Sequence, residues 1–351
     1  MSKFFSKKYE TLTPYTPGEQ PRERKYIKLN TNESPFPPSP KAVEAATRAA
    51  GSLQLYSDPT AKLLHEKIAA LYGVEPECVL ATNGSDEILN FAFMAFCDRE
   101  HPAIFPDITY GFYSVFAELN GVPYEEIPLR EDLTVDIADY TGKGKTVFIA
   151  NPNAPTGIAL TLAEVERIVA SNPTSVVVID EAYVDFGGES AAGLTKKYRN
   201  LLVTGTFSKS RSMAGARLGF GIACPELIRD LNTVKYSTNP YNVNSMTMAA
   251  GVATLEDEAY TKKNCMTVME NRAFLMEELT KRGFTLTDSK ANFLFVAHPD
   301  FGGEALYLAL KEKGILVRHF KKARIENYLR ITVGAKEECV ALLSALDEIM
   351  T

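Results

Sequence analysis

The chain reads as an α/β protein on a mainly parallel sheet flanked by helices, followed by a smaller α+β unit. Three observations predict this. Short apolar runs with little polar alternation recur: Val79-Leu80-Ala81, Thr146-Val147-Phe148-Ile149-Ala150, Ser175-Val176-Val177-Val178-Ile179, and residues 200–203. Such runs suit strands covered on both faces. Helical stretches at 86–96 and 162–170 alternate with them, as parallel sheets require. The length, 351 residues, exceeds the size at which one core usually stops growing, so more than one unit is expected.

In chain order, residues 1–28 are polar and carry Pro14, Pro17 and Pro21, an extended arm of the kind that often wraps a partner subunit. Turn residues fill 30–40. Helical periodicity covers 41–50, and a second helix over 59–72 is stopped by Gly73. The strand and helix alternation then occupies a large unit, 29–250. From Ser245 the pattern reads as long helix through about Arg282, then strand candidates at 293–297 and 329–333, with a helix between them and another at the end. Residues 251–351 therefore form the small unit. No internal repeat or low-complexity tract is present.

A net charge of −6 disfavours a nucleic-acid surface held by phosphate contacts. The cysteines, Cys78, Cys97, Cys224, Cys265 and Cys339, are scattered and lack any CxxC pairing, so neither a disulfide framework nor a metal site is expected. The N-terminus has no apolar core of a signal peptide, and no stretch is long enough to span a bilayer. A cytoplasmic protein without membrane or nucleic-acid partners is the expectation.

The polar clusters follow the expected strands, where open α/β sheets gather ligands. Lys209 lies in Thr206-Phe207-Ser208-Lys209-Ser210, just past an apolar run. Desolvation there favours the free amine, which attacks carbonyls in Schiff-base chemistry. Thr206, Ser208 and Arg217 supply hydroxyls and a planar cation suited to a phosphate. A lysine beside a phosphate site suggests pyridoxal phosphate; a surface lysine beside a structural arginine is the plainer alternative. Gly84, Ser85 and Asp86 open a helix, so their N–H groups would face an anion, although a capping turn with Ser85 is the more common explanation of such a cluster taken alone. Asp180 ends a fully apolar strand and needs a cationic partner, for which a protonated pyridine nitrogen would serve. Tyr183 would reach the ring oxygen, and Tyr110 would stack on the ring unless its aromatic cluster is core. Asn151-Pro152-Asn153-Ala154-Pro155-Thr156-Gly157 makes a rigid turn. The four histidines show no ligand spacing.

With these clusters, Leu12-Thr13-Pro14-Tyr15, Asn30-Thr31-Asn32-Glu33, Tyr56-Ser57-Asp58-Pro59 and Leu329-Arg330-Ile331-Thr332-Val333-Gly334, the chain resembles the fold-type I pyridoxal-phosphate aminotransferases along nearly its whole length. The resemblance implies pyridoxal 5′-phosphate held covalently by Lys209, with Asp180 at the pyridine nitrogen, Tyr183 at the ring oxygen and Tyr110 on the ring face. Ser85, Asp86, Thr206, Ser208 and Arg217 would surround the phosphate. It implies a homodimer with shared sites, in which Tyr56 reaches the neighbouring subunit's cofactor. Tyr15, Asn32, Arg318 and Arg330 would bind the substrates, an amino donor and a 2-oxo acid acceptor. One departure stands out: Ala154 occupies the place where the family commonly has an asparagine that donates to the ring oxygen. Asn153, one position earlier, supplies that contact if the turn is adjusted; otherwise Tyr183 carries it alone. The same scaffold also suits an aromatic amino-acid aminotransferase or a phosphothreonine-type decarboxylase. A non-catalytic dinucleotide-binding module is disfavoured, because no G-x-G-x-x-G turn follows the first strand.

Overall fold

A computed structural model describes residues 2–21 and 23–351. After the N-terminal segment come strand β1 (Ile27–Lys28), helices α1 (Pro40–Ala50) and α2 (Lys62–Tyr72), then β2 (Val79–Thr82) and α3 (Ser85–Phe96). There follow β3 (Ala103–Pro106), α4 (Phe112–Asn120), β4 (Tyr124–Ile127), β5 (Thr146–Ala150) and α5 (Leu162–Ser171). Strands β6 (Val177–Asp180), β7 (Leu201–Thr206) and β8 (Gly219–Ala223) precede helices α6 (Pro225–Thr238), α7 (Ser245–Leu255) and α8 (Glu258–Lys281). The C-terminal part contains β9 (Thr285–Leu286), β10 (Phe293–Ala297), α9 (Gly303–Glu312), β11 (Ile315–Leu316), β12 (Arg318–His319), β13 (Tyr328–Thr332) and α10 (Lys336–Met350).

Seven strands form one sheet in the order β2-β8-β7-β6-β5-β3-β4. Six of them run in one direction, and β8 alone runs opposite, pairing antiparallel with both β2 and β7. The apolar runs are buried on both faces, as their lack of alternation requires. Val147, Ile149, Val177, Ile179, Leu201 and Val203 pack into one core, while Phe148, Val178 and Leu202 pack into another on the opposite face. Strands β2 and β4 are the two edge strands, and Glu125 is exposed on β4.

Several elements escape the sequence patterns. Strand β8 contains Gly219 and Gly221, which weaken any strand signal. Both are needed for packing: a Cβ on Gly219 would stand 2.4 Å from the Ser85 nitrogen, and one on Gly221 3.0 Å from Ile88. The helix expected from Ser245 to Arg282 is two helices, broken at residues 256–257, where Asp257 accepts a hydrogen bond at 2.5 Å from Ser39. Helix α2 starts at Lys62 because the Asp58 carboxylate takes the N–H groups of Thr60 and Lys62 in a turn. It ends at Gly73 with φ +63°, in the role expected.

Strands β12, β13, β10 and β9 form a separate antiparallel sheet. The N-terminal arm does not stay apart from this region. Ile27 and Lys28 pair in parallel with Ile315 and Leu316, and Leu29 packs among the C-terminal core residues. No helix among the described residues is long and apolar enough to cross a membrane.

Candidate active site

Two adjoining chambers lie where the ends of β2, β6 and β7 meet the β12–β13 hairpin and the N-terminal segment. The sheet-side chamber is about 450 Å³ and the hairpin-side chamber about 490 Å³. Gln20, Thr31, Tyr110, Ala154, Tyr183 and Lys209 line both. Lys209 thus stands at the junction, in the loop that leaves β7. Its Nζ donates to the Thr31 carbonyl oxygen at 3.2 Å and lies 5.8 Å from the Tyr183 ring centre.

Asp180, the last residue of β6, lies in the sheet-side chamber at 4% exposure. It accepts hydrogen bonds from the Tyr113 hydroxyl and Thr204 Oγ1, each at 3.2 Å, and has no ion-pair partner among the described residues. Burial pushes its carboxyl up to about 6, against these two bonds. A carboxylate in this state accommodates a cationic group. Glu181, next in the chain, points elsewhere: it accepts from Ser190 Oγ at 2.5 Å and the Ala191 N–H at 2.6 Å, and burial pushes it up to about 8.

The start of α3 supplies an anion-binding corner. Arg217 pairs with Asp86 Oδ2 at 2.8 Å, and the Tyr110 hydroxyl donates to Asp86 Oδ1 at 2.6 Å. Ser85, Asp86, Thr206, Ser208 and Arg217 all line the sheet-side chamber, so the expected phosphate residues are brought together. Thr206 Oγ1 donates to Ser208 Oγ at 3.0 Å. Gly84 differs from expectation. Its N–H is already bonded to the Thr82 carbonyl at 3.0 Å, and it lines neither chamber. Its part is steric: at φ +76°, an added Cβ would come within 2.5 Å of Arg217 Nη2.

The hairpin-side chamber carries the cations. Arg318 and Arg330 are directly opposed across β12 and β13, a like-charge pairing that costs stability unless something else uses it. Neither has an ion-pair partner among the described residues. Arg330 Nη2 donates to the Asn30 carbonyl at 3.0 Å, its buried Nε has no partner, and Phe293 and Phe320 lie within 6 Å of it. Burial lowers its pKa. Arg318 donates to the carbonyls of Pro17 at 3.2 Å and Thr16 at 3.1 Å. Tyr15 stacks on Phe112 at 4.2 Å and lines this chamber, as does Asn32. Asn32 Nδ2 donates to the Tyr183 hydroxyl at 3.0 Å.

Two expected residues lie outside. Asn153 lines neither chamber, and the expectation that it takes the place left by Ala154 is corrected. Its amide is consumed by the turn: Nδ2 donates to the Ile108 carbonyl and to Thr156 Oγ1, and Oδ1 accepts from Thr109 Oγ1. Tyr56 is 84% exposed and stacks on Tyr241 at 4.5 Å, away from the chain's own chambers. Sequence reasoning missed Gln20, Thr31, Tyr113 and Lys322. Tyr113 could have been found by asking which hydroxyl satisfies a buried Asp180. Nothing local marks Gln20.

The family described as aminotransferase class I and II matches residues 24–346, and the chain belongs to it. Within that class, it is 49% identical over 340 residues to the histidinol-phosphate aminotransferase of Brachyspira hyodysenteriae, covering 96% of each chain. It is 48% identical over 351 residues to that of Acetobacter pasteurianus, covering 100% of this chain and 99% of the relative. The crystal structure of histidinol-phosphate aminotransferase from Sinorhizobium meliloti in complex with pyridoxal-5′-phosphate superposes with a TM-score of 0.86 at 24% identity, over 93% of this chain and 92% of that one. That likeness confirms the fold.

Proposed function

We propose that the chain is a pyridoxal-phosphate-dependent aminotransferase that moves the amino group of histidinol phosphate to 2-oxoglutarate, giving imidazole acetol phosphate and glutamate. The observation that carries this reading is a buried carboxylate in one chamber and two half-buried arginines in the adjoining one, all without a counter-ion among the described residues. Asp180 lies in one chamber and the Arg318–Arg330 pair in the other, with Lys209 between them.

The residues present fit the cofactor. A buried carboxylate without a counter-ion suits the ring nitrogen, the start of α3 with Arg217 suits its phosphate, and Lys209 offers an amine for its aldehyde. When bound, the cofactor supplies a sink for the electron pair left at the substrate's Cα. Asp180 keeps the ring nitrogen protonated, Tyr183 donates to the ring oxygen, and Tyr110 covers the ring face. Arg217, which pairs with Asp86 here, would hold the phosphate together with Ser85, Thr206 and Ser208. Lys209 would hold the cofactor through its aldehyde, and its Nζ, when free, would be the group placed to move the proton at the substrate's Cα. Arg318, Arg330, Tyr15 and Asn32 bind the substrate's anionic end. Two carboxylates let glutamate use the same arginines.

In this reading the large unit 29–250 lines both chambers, and the small unit 251–351 lines only the hairpin-side one, which residues of the N-terminal arm also line. Tyr56 serves the neighbouring subunit's cofactor in a homodimer, and a cytoplasmic location accords with the absence of a membrane helix among the described residues. Aromatic amino-acid transamination is the second reading, favoured by the rings of Tyr15, Phe105, Tyr110 and Phe320 in the hairpin-side lining.

Steady-state rates with histidinol phosphate, phenylalanine, tyrosine and threonine phosphate, each with 2-oxoglutarate, separate these readings. The highest kcat/KM belongs to histidinol phosphate, with an oxo product and no carbon dioxide. A preference for phenylalanine refutes the substrate assignment. Lys209→Ala abolishes both turnover and the borohydride-trapped cofactor adduct seen by mass spectrometry; retention of both refutes the lysine's role.

A further inference from the structure

The hairpin bearing the two arginines is tied to the opposite cavity wall through Arg324, in the connection between β12 and β13. Arg324 Nη1 pairs with Asp107 Oδ2 at 2.9 Å, and Nη2 donates to the carbonyls of Leu129 at 2.8 Å and Arg130 at 3.0 Å. Asp107 Oδ1 accepts from the Leu129 N–H at 2.9 Å, so one carboxylate and one guanidinium join three chain segments. Lys322 adds a bond to the Asp107 carbonyl. Ile108, Leu129, Leu133, Phe295 and Ile325 form a separate apolar cluster at the same junction.

What hangs on each side gives the tie its importance. Asp107 stands one residue past β3 and three before Tyr110, on the seven-stranded sheet. Arg318 and Arg330 stand on the four-stranded sheet, and no strand pairing joins the two sheets among the described residues. An anchor and a reacting centre on separate sheets keep their spacing only as well as those sheets are held together. Asp107, Lys322 and Ile325 also line the hairpin-side chamber, so the tie is built into the cavity wall.

We propose that Arg324 and Asp107 are specificity-determining positioning residues that set the distance between the arginine pair and Lys209. The tie selects amines whose distal anion spans that distance. The inference rests on the substrate reading above. A substrate anchored at both ends depends on the spacing, while one without the distal anion does not. Lysine cannot replace Arg324, because a point charge cannot bridge a carboxylate and two carbonyls as a planar fork does.

The test measures kcat and KM of the holoenzyme for histidinol phosphate and for histidinol, which lacks the phosphate. Wild type, Arg324→Ala, Arg324→Lys, Asp107→Asn and the Arg324→Ala/Asp107→Asn double variant are compared. In Arg324→Ala, kcat/KM for histidinol phosphate falls by about ten- to a hundredfold, the size of a small misplacement of reacting groups. For histidinol it changes by less than about threefold, and Arg324→Lys does not restore the preference. The double variant loses no more than the worse single one, because both act through one contact. Equal losses on the two substrates, or an unmoved ratio, overturn the proposal. Should Arg324→Ala fail to accumulate as holoenzyme, the ratio in Arg324→Lys and Asp107→Asn decides. Wild type inactive on histidinol phosphate refutes the substrate reading and this proposal together; active wild type with an unmoved ratio refutes this proposal alone.

Discussion

Asp180, which is buried, and Arg330, half-buried with its Nε enclosed, both lack a counter-ion among the described residues, yet the chain holds them in different ways. Asp180 closes a central strand flanked by β5 and β7, and its carboxylate is met by hydroxyls from α4 and β7. Its position is fixed by the middle of the sheet. Arg330 sits on a short hairpin whose companion Arg318 is occupied with carbonyls of the N-terminal segment. Its position depends on contacts between parts of the chain that are far apart in sequence. On the proposed function, the sheet-side end keeps one resident group, and the hairpin-side end accepts and releases anions.

The largest test of this contrast is at the fixed end. Asp180→Asn keeps a hydrogen-bond acceptor but not the charge, and kcat should fall by about 10²–10³-fold, the scale of losing one preorganised electrostatic contact. Stopped-flow and steady-state rates read this; a loss below tenfold would remove Asp180 from the reaction. At the adaptable end, Arg318→Ala should lower kcat/KM for histidinol phosphate by about ten- to a hundredfold, since a hydrogen bond to a charged group contributes about 1.5–3 kcal/mol. The loss with phenylalanine should be far smaller, and equal losses would place the phosphate elsewhere.

The smallest effect concerns stability. Glu181 has a folded-state pKa near 8, raised by burial from its ordinary 4.5. The folded chain therefore holds a proton that the unfolded chain has released, and the stability this gives is complete below about pH 4.5. It is lost as pH rises toward 8. Calorimetry of the cofactor-free protein should show Tm falling by a few degrees between pH 5 and 8, and Glu181→Gln should lessen that slope, most of all above pH 6, where Asp180, raised to about 6, has given up most of its own share. A slope unchanged in the variant would assign the proton elsewhere.

Much of the fixed end was legible in the sequence, because strand ends and the residues after them are contiguous. Val177-Val178-Ile179-Asp180 announces both a strand and the charge that closes it. The adaptable end was legible as residue types but not as contacts: nothing in Arg324 reveals Asp107, 217 residues earlier, and nothing in Gln20 places it in the same lining as Lys209. Asn153 shows the limit at close range. The turn was foreseeable, but the direction of its amide is decided by Ile108 and Thr109, from a loop 44 and more residues earlier. Strand β8 was hidden because its glycines serve the helix packed on it rather than the strand.

Strand β4, at one rim of the large sheet, carries a last consequence. One side of β4 has no neighbour in the sheet, so its backbone groups there invite another chain's strand. Tyr124-Glu125-Glu126-Ile127 places two acidic residues side by side in that strand. Two such rims brought together would set carboxylates against carboxylates. The open border thus discourages fibre-like growth from molecule to molecule.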